Sequence, residues 1–365
     1  MKTTLMTRAA AAGAAACLAA SAAHAQSSVT LYGNLDTGLT YFNNVGGKHF
    51  AGTEDGNFIP DFFGLQGSED LGGGLSAIFK LEAGFLLSSG KFTVANQLFQ
   101  REATVGLSSA RYGTLKLGHQ PSFMFDVLSP LSTGYIGGGF PTFHQGNLDE
   151  LANTFEFDNS AKYLSPSYAG LSFGAQFGFG NQAGNFANGR NYGFTVQYKN
   201  GPLKLGAVYA NENDRYLEFA DSIGLRSLLG TPLPAGGMVA NRVQNWGAGG
   251  SYALGNWLLH AMFTQTRIDM PTASANANTV DAGVSYTLAT VDTIGVGGAV
   301  ENLDGGHWVT LSLSNLYSIS KRTLLYQQAM YQRASGANAV AALLGAGQAS
   351  GRSQVGLAIG IQHFF

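Results

Sequence analysis

The chain has 365 residues, with 20 Lys plus Arg against 22 Asp plus Glu, and a formal net charge of −2. Charged residues make up 12% of the sequence, about half the share of an ordinary soluble domain. A mildly acidic chain without blocks of like charge excludes a nucleic-acid partner, and so few charges indicate that much of the surface faces something other than water.

The first 25 residues predict a secretory signal peptide. A basic start with Lys2 and Arg8 precedes an Ala-rich apolar run and a small-residue cleavage site at 23–25. A membrane anchor is the alternative, but the apolar run is shorter than the ~20 residues that a span needs. Removing residues 1–25 leaves 18 basic against 22 acidic residues, a net charge of −4, and takes away the single cysteine, Cys17.

Residues 26–365 are predicted to form one domain of alternating strands. In segment 171–180, Leu171, Phe173 and Phe177 fall on one face, opposite Ser172 and glycines. Bulky apolar residues on one face and small or polar ones on the other suit a sheet between lipid and water. No apolar run after the signal is long enough for a transmembrane helix.

Turn signals divide this domain into sixteen predicted strands. Tight turns are predicted near 68–75, 109–113, 165–170, 199–202, 253–256, 288–292 and 318–322. Longer connections are predicted near 45–55, 89–96, 121–153, 181–190, 213–241, 268–277, 303–306 and 333–352. Short turns at one end and longer loops at the other favour an all-β, antiparallel transmembrane β-barrel. A secreted β-sandwich or propeller is the alternative, but the low charge and the Gly and Ser on the would-be core face argue against it.

Several blocks of sequence resemble the general porins of Gram-negative bacteria, particularly the β-proteobacterial type. The blocks are SSVTLYGNLDTGLTYFNN, GLQGSEDLGGGLSAIFKLEAGF, REATVGLSSARYGTLKLGHQPS, DNSAKYLSPSYAGLSFGAQF and the terminal phenylalanine. The resemblance implies a 16-stranded outer-membrane barrel that assembles as a homotrimer. It also implies passive diffusion of small hydrophilic solutes and ions, past a constriction made by the third external loop folded into the lumen.

The connection at 121–153 independently fits such a loop. It is the longest connection and is rich in proline and phenylalanine, so it is too apolar to extend into water. It therefore needs a surface to bury against, and the lumen supplies one.

The resemblance implies a basic wall facing acidic residues across the constriction. On the wall, Lys80, Lys116 and Lys162 are inward by alternation. Arg101 falls on the apolar face by alternation, whereas the resemblance places it in the lumen. The acidic residues are Asp126, Asp149 and Glu150 on the loop and Glu82 beside Lys80. Where the family often has charged residues, this chain has Phe62, His119 and Leu164, which leaves anion against cation preference open.

An enzyme is not predicted. Ser172 lies in a G-x-S-x-G pattern, but that pattern opens an alternating strand, whereas a nucleophile elbow needs a strand followed by a helix. The histidines occur singly, without metal-ligand spacing, and no cofactor is predicted. A substrate-specific channel remains the alternative function, with a barrel enzyme or an adhesive or structural barrel as different classes.

The final strand, 354–365, is predicted to pair with the first strand and close the barrel, so that no edge is exposed in lipid. Phe365 would lie in the periplasmic aromatic girdle. The resemblance adds that a terminal phenylalanine is the assembly signal for the barrel-insertion machinery. An outer-membrane location further implies lipid and lipopolysaccharide as neighbours.

Overall fold

The computed structural model describes residues 28–218, 222–234 and 236–365. The signal peptide predicted at 1–25 lies outside the described residues. Within the described part of the chain, no helix is long and apolar enough to cross a membrane.

Strands dominate the structure. They are β1 (Ser28–Val45), β2 (Lys48–Asp55), β3 (Phe62–Gly72), β4 (Leu75–Gly84), β5 (Glu102–Ser109), β6 (Gly113–Pro121), β7 (Glu156–Leu164), β8 (Leu171–Gly178), β9 (Asn191–Asn200), β10 (Leu203–Glu218), β11 (Ser227–Leu228), β12 (Thr231–Pro232), β13 (Gly237–Leu254), β14 (Trp257–Asp269), β15 (Ser274–Leu288), β16 (Asp292–Leu303), β17 (Gly306–Ser318), β18 (Thr323–Ser335) and β19 (Ser353–Phe364). β11 and β12 form a separate small hairpin.

The other strands form one closed antiparallel sheet. Except for β2 and β3, consecutive strands of this sheet pair with each other, and β1 pairs with β19 from Asn34–Phe364 to Phe42–Gly356. β2 pairs with one half of β1 and β3 with the other half, so these two strands share one position. The 17-stranded sheet is therefore a barrel with sixteen strand positions, as predicted.

The predicted tight turns all fall between paired strands, but several longer connections were predicted too long. Strands take up both ends of 213–241, and only residues 304–305 separate β16 from β17. Residues 45–55 form the short turn at 46–47 and then β2, and the connection predicted at 268–277 shrinks to the residues between β14 and β15. The strands β2, β14 and β15 extend beyond the apolar part of the wall, and their outward residues are polar there. The alternating signal therefore ends before the strands do.

Alternation sets the two faces of the wall. On β14, Leu259 is 45% exposed, whereas its neighbour His260 is 6% and Thr264 is 1% exposed. The inward faces carry most of the polar side chains, and long connections cover many of them.

Three connections bury apolar residues in the interior. Phe123, Met124 and Leu128 of segment 122–155 join a cluster with Val208 and Met262 of the wall. That segment contains short turns of π-helix at Met124–Leu128 and Gly134–Gly138 and of 3₁₀-helix at Ser129–Leu131, Phe140–Thr142 and Gln145–Asn147. Residues of 222–233 and 336–352 are buried in two further clusters.

The connection 336–352 lies against segment 122–155 and the inward side of the last strands. The N–H of Leu344 donates to the carbonyl of Pro141, 3.1 Å away. The N–H of Leu343 donates to Oε1 of Gln354 at 2.8 Å, and Nε1 of Trp308 donates to the carbonyl of Val340 at 2.9 Å. The two connections therefore pack against each other and against the inward side of the last strands.

Candidate functional site: a charged row on the barrel wall

The inward faces of β4, β5 and β6 carry a row of alternating charges. Nζ of Lys80 lies 3.1 Å from Oε2 of Glu82 and 3.0 Å from Oε2 of Glu102. Nζ of Lys116 lies 2.7 Å from Oε1 of Glu102. The row is continuous because the register sets Glu82 opposite Glu102 and Lys80 opposite Thr104.

Arg101 extends this row although alternation alone puts it on the other face. It lies immediately before β5, where its N–H donates to the carbonyl of Glu82. Its Nε lies 2.8 Å from Oε1 of Glu82, and its guanidinium stacks over the ring of Phe62. Because Arg101 is outside the strand, the alternation of β5 does not decide its direction.

The row keeps contact with solvent at its cations. The side chain of Lys80 is 33% exposed and that of Lys116 is 25% exposed, whereas the side chains of Glu82 and Glu102 are 8% and 5% exposed. Tyr32 of β1 also donates to Glu82, at 2.8 Å. The carboxylates thus lie behind and between the ammonium groups, and their negative charge screens the positive charge of the lysines.

Lys162 occupies a different setting. Its ammonium group donates to Oδ2 of Asp126 and to the carbonyl of Pro121, both at 2.6 Å, and it lies over the ring of Phe123. The side chain is 4% exposed. The structure therefore brings Lys162 and Asp126 together, but as an attachment between β7 and segment 122–155.

Asp149 lies on the same segment, at a second attachment to the wall. Its Oδ2 lies 2.6 Å from Nδ1 of His144 and accepts from Oγ1 of Thr264. The other ring nitrogen of His144 lies 3.1 Å from Oδ2 of Asp281 on β15. Asp281 also accepts from the backbone N–H and the hydroxyl of Thr133. We call Thr133, His144, Asp149, Thr264 and Asp281 the loop latch.

Glu150 makes the neighbouring attachment. Its Oε1 lies 2.6 Å from Nη1 of Arg215 on β10 and accepts from the amide of Asn245 on β13. Glu212 shares Arg215 at 2.8 Å. Asp149 and Glu150 are fully buried here, so the structure does not bring them together with the row of Lys80 and Lys116. The acidic partners of that row are the wall residues Glu82 and Glu102, because Asp149 and Glu150 are already paired with other wall residues that anchor the loop.

Sequence reasoning missed Glu102, which links the two exposed lysines. Alternation with Thr104 puts Glu102 inward, and that signal was available. It also missed the wall residues of the latch, Asp281 and Thr264, since their partners lie more than a hundred positions away in the chain.

A cavity of about 530 Å³ adjoins Arg101 at the ends of several strands. Its lining includes Asp55, Asp61 and Glu218 beside that one arginine. The approach to the charged row is therefore acidic, which adds to the screening by Glu82 and Glu102.

His144 makes the loop latch sensitive to pH. Burial opposes its charge, but the carboxylates of Asp149 and Asp281 outweigh burial and raise the pKa of His144 well above its ordinary value of 6.5. Because the pKa of His144 is raised in the folded state, its protonation stabilises the folded protein. This stabilisation is complete below pH 6.5 and is lost as the pH rises through the raised pKa.

We therefore expect the attachment of segment 122–155 to weaken at alkaline pH. Single-channel current noise should rise between neutral and alkaline pH in the native protein. His144→Gln keeps a hydrogen-bonding side chain without the titration, so its noise should be independent of pH over that range. A His144→Gln protein with the native pH profile would show that another group titrates.

No group of His, Cys, Asp and Glu that could hold a metal ion occurs among residues 28–218, 222–234 and 236–365. Ser172 is the second residue of β8, and β8 is followed along the chain by β9 and not by a helix. Its G-x-S-x-G pattern is therefore part of the barrel wall.

A closed sixteen-position barrel with an apolar outer face, a polar inner face and a charged inner row defines the class of outer-membrane channels. The sequence matches the family described as Gram-negative porin over residues 9–337, and the chain belongs to that family.

Two curated relatives and one solved structure illustrate the likeness. An outer membrane porin protein of Bordetella pertussis is 35% identical over 240 residues, 58% of this chain and 60% of that relative, which is less than two thirds of its length. Outer membrane porin protein 32 of Delftia acidovorans is 30% identical over 371 residues, 96% of this chain and 98% of that protein. The anion-selective porin from Comamonas acidovorans matches with a TM-score of 0.76 and 25% identity, over 93% of this chain and all of that one. The protein is thus a porin of the Gram-negative outer membrane.

Proposed function

We propose that this porin is a general diffusion channel whose constriction is lined by Lys80, Glu82, Arg101, Glu102 and Lys116. Segment 122–155 is the opposite side of the constriction, held in the lumen by the Lys162–Asp126 pair, the loop latch and the Glu150–Arg215 pair. The observation that carries this proposal is the contact of each exposed cation in the row with a wall carboxylate. Solutes below the size of this gap diffuse through water down their gradients.

The charge balance of the row favours weak selectivity. Three cations face two carboxylates, and the adjoining cavity is acidic. The related Comamonas porin is described as anion-selective. In this chain Glu102 neutralises part of the wall that would attract anions, so we propose little preference for either sign of ion.

Planar-bilayer recording tests the channel itself. We expect the purified protein to give an ohmic conductance that rises in proportion to salt concentration. A current that saturates, and that one solute blocks at low concentration, would support the substrate-specific alternative instead. Absence of conductance from correctly folded protein would contradict the diffusion channel and favour an enzymatic or structural barrel.

We further propose a homotrimer that is inserted by the barrel-assembly machinery, after removal of residues 1–25. The terminal residue supports this assembly route, since Phe365 exchanges backbone hydrogen bonds with Gly33 on β1 and remains partly exposed at the seam. Mass spectrometry of the protein from outer membranes should give a mature chain that begins at Gln26. Light scattering of the detergent-solubilised protein should give three chains.

Deletion of Phe365 should lower the amount of barrel in the outer membrane severalfold without changing the conductance of each pore. The ring packs against Gly33 at the seam of β1 and β19 and takes no part in the ion pairs of the charged row, so we expect assembly to suffer and conductance to remain. Phe365→Tyr retains an aromatic end and is the matched control. Equal membrane yields for the deletion and the native chain would contradict a role in assembly.

A further inference from the structure

The outer face of β13, β14 and β15 carries two arginines near the loop end of the barrel. Outward residues of β14 alternate from Trp257 through Leu259 and Phe263 to Arg267 and Asp269, while their neighbours point inward and are buried. The apolar outer face of this strand therefore ends in a pair of charged residues.

The height of Arg267 places it at the edge of the apolar band. It lies ten residues along β14 from Trp257, whose ring packs on Tyr286 next to the short turn. At ~3.4 Å per residue and a tilt of about 40°, ten residues rise roughly 26 Å. The apolar band of such barrels is about 25 Å tall. If Trp257 marks one edge of the apolar band, Arg267 lies at the opposite edge, at the level of the lipid headgroups.

A band of outward polar side chains separates the arginines from the apolar surface. Nε1 of Trp246 donates to Gln265, Gln265 donates to Asn278, and Asn278 donates to Asn302, at distances of 2.9, 2.6 and 3.1 Å. These four side chains lie on four neighbouring strands. A tryptophan followed by amides is the composition expected where hydrocarbon gives way to headgroups.

Asp269 holds the two guanidinium groups beside each other. Nε and Nη2 of Arg242 donate to its Oδ2 at 2.8 and 2.6 Å, and Nε of Arg267 donates to its Oδ1 at 2.8 Å. The carboxylate is 15% exposed, whereas both arginine side chains are 47% exposed. The other guanidinium N–H groups make no hydrogen bond to residues within the described part of the chain. Two cations against one anion leave a net positive charge.

The arginines border an open cavity of about 540 Å³. Its lining includes Asn213, Asn241 and Ser274 beside the two arginines, so further donors surround it. Arginine forks match the geometry of phosphate oxygens, and headgroup phosphates are the anions present at this depth.

We propose that Arg242 and Arg267 bind a phosphate group of an outer-leaflet lipid, a phosphorylated glycolipid such as lipopolysaccharide. Asp269 orients both guanidinium groups, and the amide band hydrogen-bonds the polar part of the same headgroup. This site rests on the outer-membrane location of the chain and is independent of the charge selectivity of the pore.

The test is the thermal stability of the purified native protein in detergent, titrated with lipopolysaccharide, with the same lipid after phosphatase treatment, and with inorganic phosphate. We expect intact lipid to raise the unfolding temperature. The double variant Arg242→Gln/Arg267→Gln should need at least about tenfold more lipid for the same shift, since losing charge-assisted contacts worth about 1.4 kcal/mol is tenfold in affinity. Arg111→Gln is the matched control, because Arg111 is an exposed arginine in a short turn at the other end of the barrel.

A single-channel conductance equal to that of the native protein shows that a variant is folded. If the double variant does not fold, the single variant Arg267→Gln is titrated in its place. Equal lipid response in the double variant and the native protein would overturn the proposal. So would an undiminished response to dephosphorylated lipid, which would show recognition of acyl chains or sugar. An equal shift with inorganic phosphate would show an anion site without lipid specificity and would also overturn it.

Discussion

Glu102→Gln should turn this weakly selective pore into an anion-preferring one. The substitution removes the carboxylate between Lys80 and Lys116 and keeps the size of the side chain. One unit charge at 7–10 Å in water interacts by about 0.4–0.6 kcal/mol, with opposite sign for anion and cation, so the anion-to-cation permeability ratio should rise roughly threefold to tenfold. Reversal potentials in a potassium chloride gradient measure this ratio, and the shift should shrink at high salt.

Glu69→Gln is the matched control, because Glu69 is an exposed residue of β3 outside the charged row. It should leave the reversal potential unchanged. Lys80→Glu should shift the ratio in the opposite direction, towards cations. If neither Glu102→Gln nor Lys80→Glu changed the permeability ratio, the charged row would not be part of the constriction.

Asp281→Ala should release segment 122–155 and destabilise the barrel. The change leaves Thr133 and the protonated His144 without their wall partner. Breaking a buried ionic contact by removing one partner costs about 3–5 kcal/mol. We expect a lower urea midpoint of unfolding, together with larger and noisier single-channel currents.

Asp70→Ala provides the comparison for this variant. Asp70 accepts a hydrogen bond from Gly72 in an exposed short turn, so its loss should cost no more than about 1 kcal/mol. If Asp281→Ala kept native stability and quiet currents, the latch would not hold the segment in place.

Much of the barrel could be predicted from its sequence because alternation and turn chemistry are local signals. The outward set on β1 and β19 and the short turns follow from neighbouring residues alone. The extent of β2 could not be predicted, because its outward side chains lie above the apolar band and lose the contrast on which alternation depends.

The candidate site was only partly predictable. Inward phase identified Lys80 and Lys116, but their contact with Glu102 depends on the register between β4, β5 and β6, which one strand's pattern cannot supply. Asp149 and Glu150 were correctly placed on the long loop, yet their partners Thr264 and Arg215 belong to distant strands. Tertiary contacts of this kind decide which loop carboxylates remain free to face the channel.

The reversal potential of the native protein in a tenfold gradient of potassium chloride shows directly whether the wall carboxylates screen the lysines of the row. A wall whose lysines are screened by Glu82 and Glu102 predicts an anion-to-cation permeability ratio within about threefold of one, from the small net charge of the row. A ratio above about ten in favour of anions would contradict this screening, because it would require lysines and an arginine that act without their carboxylate partners.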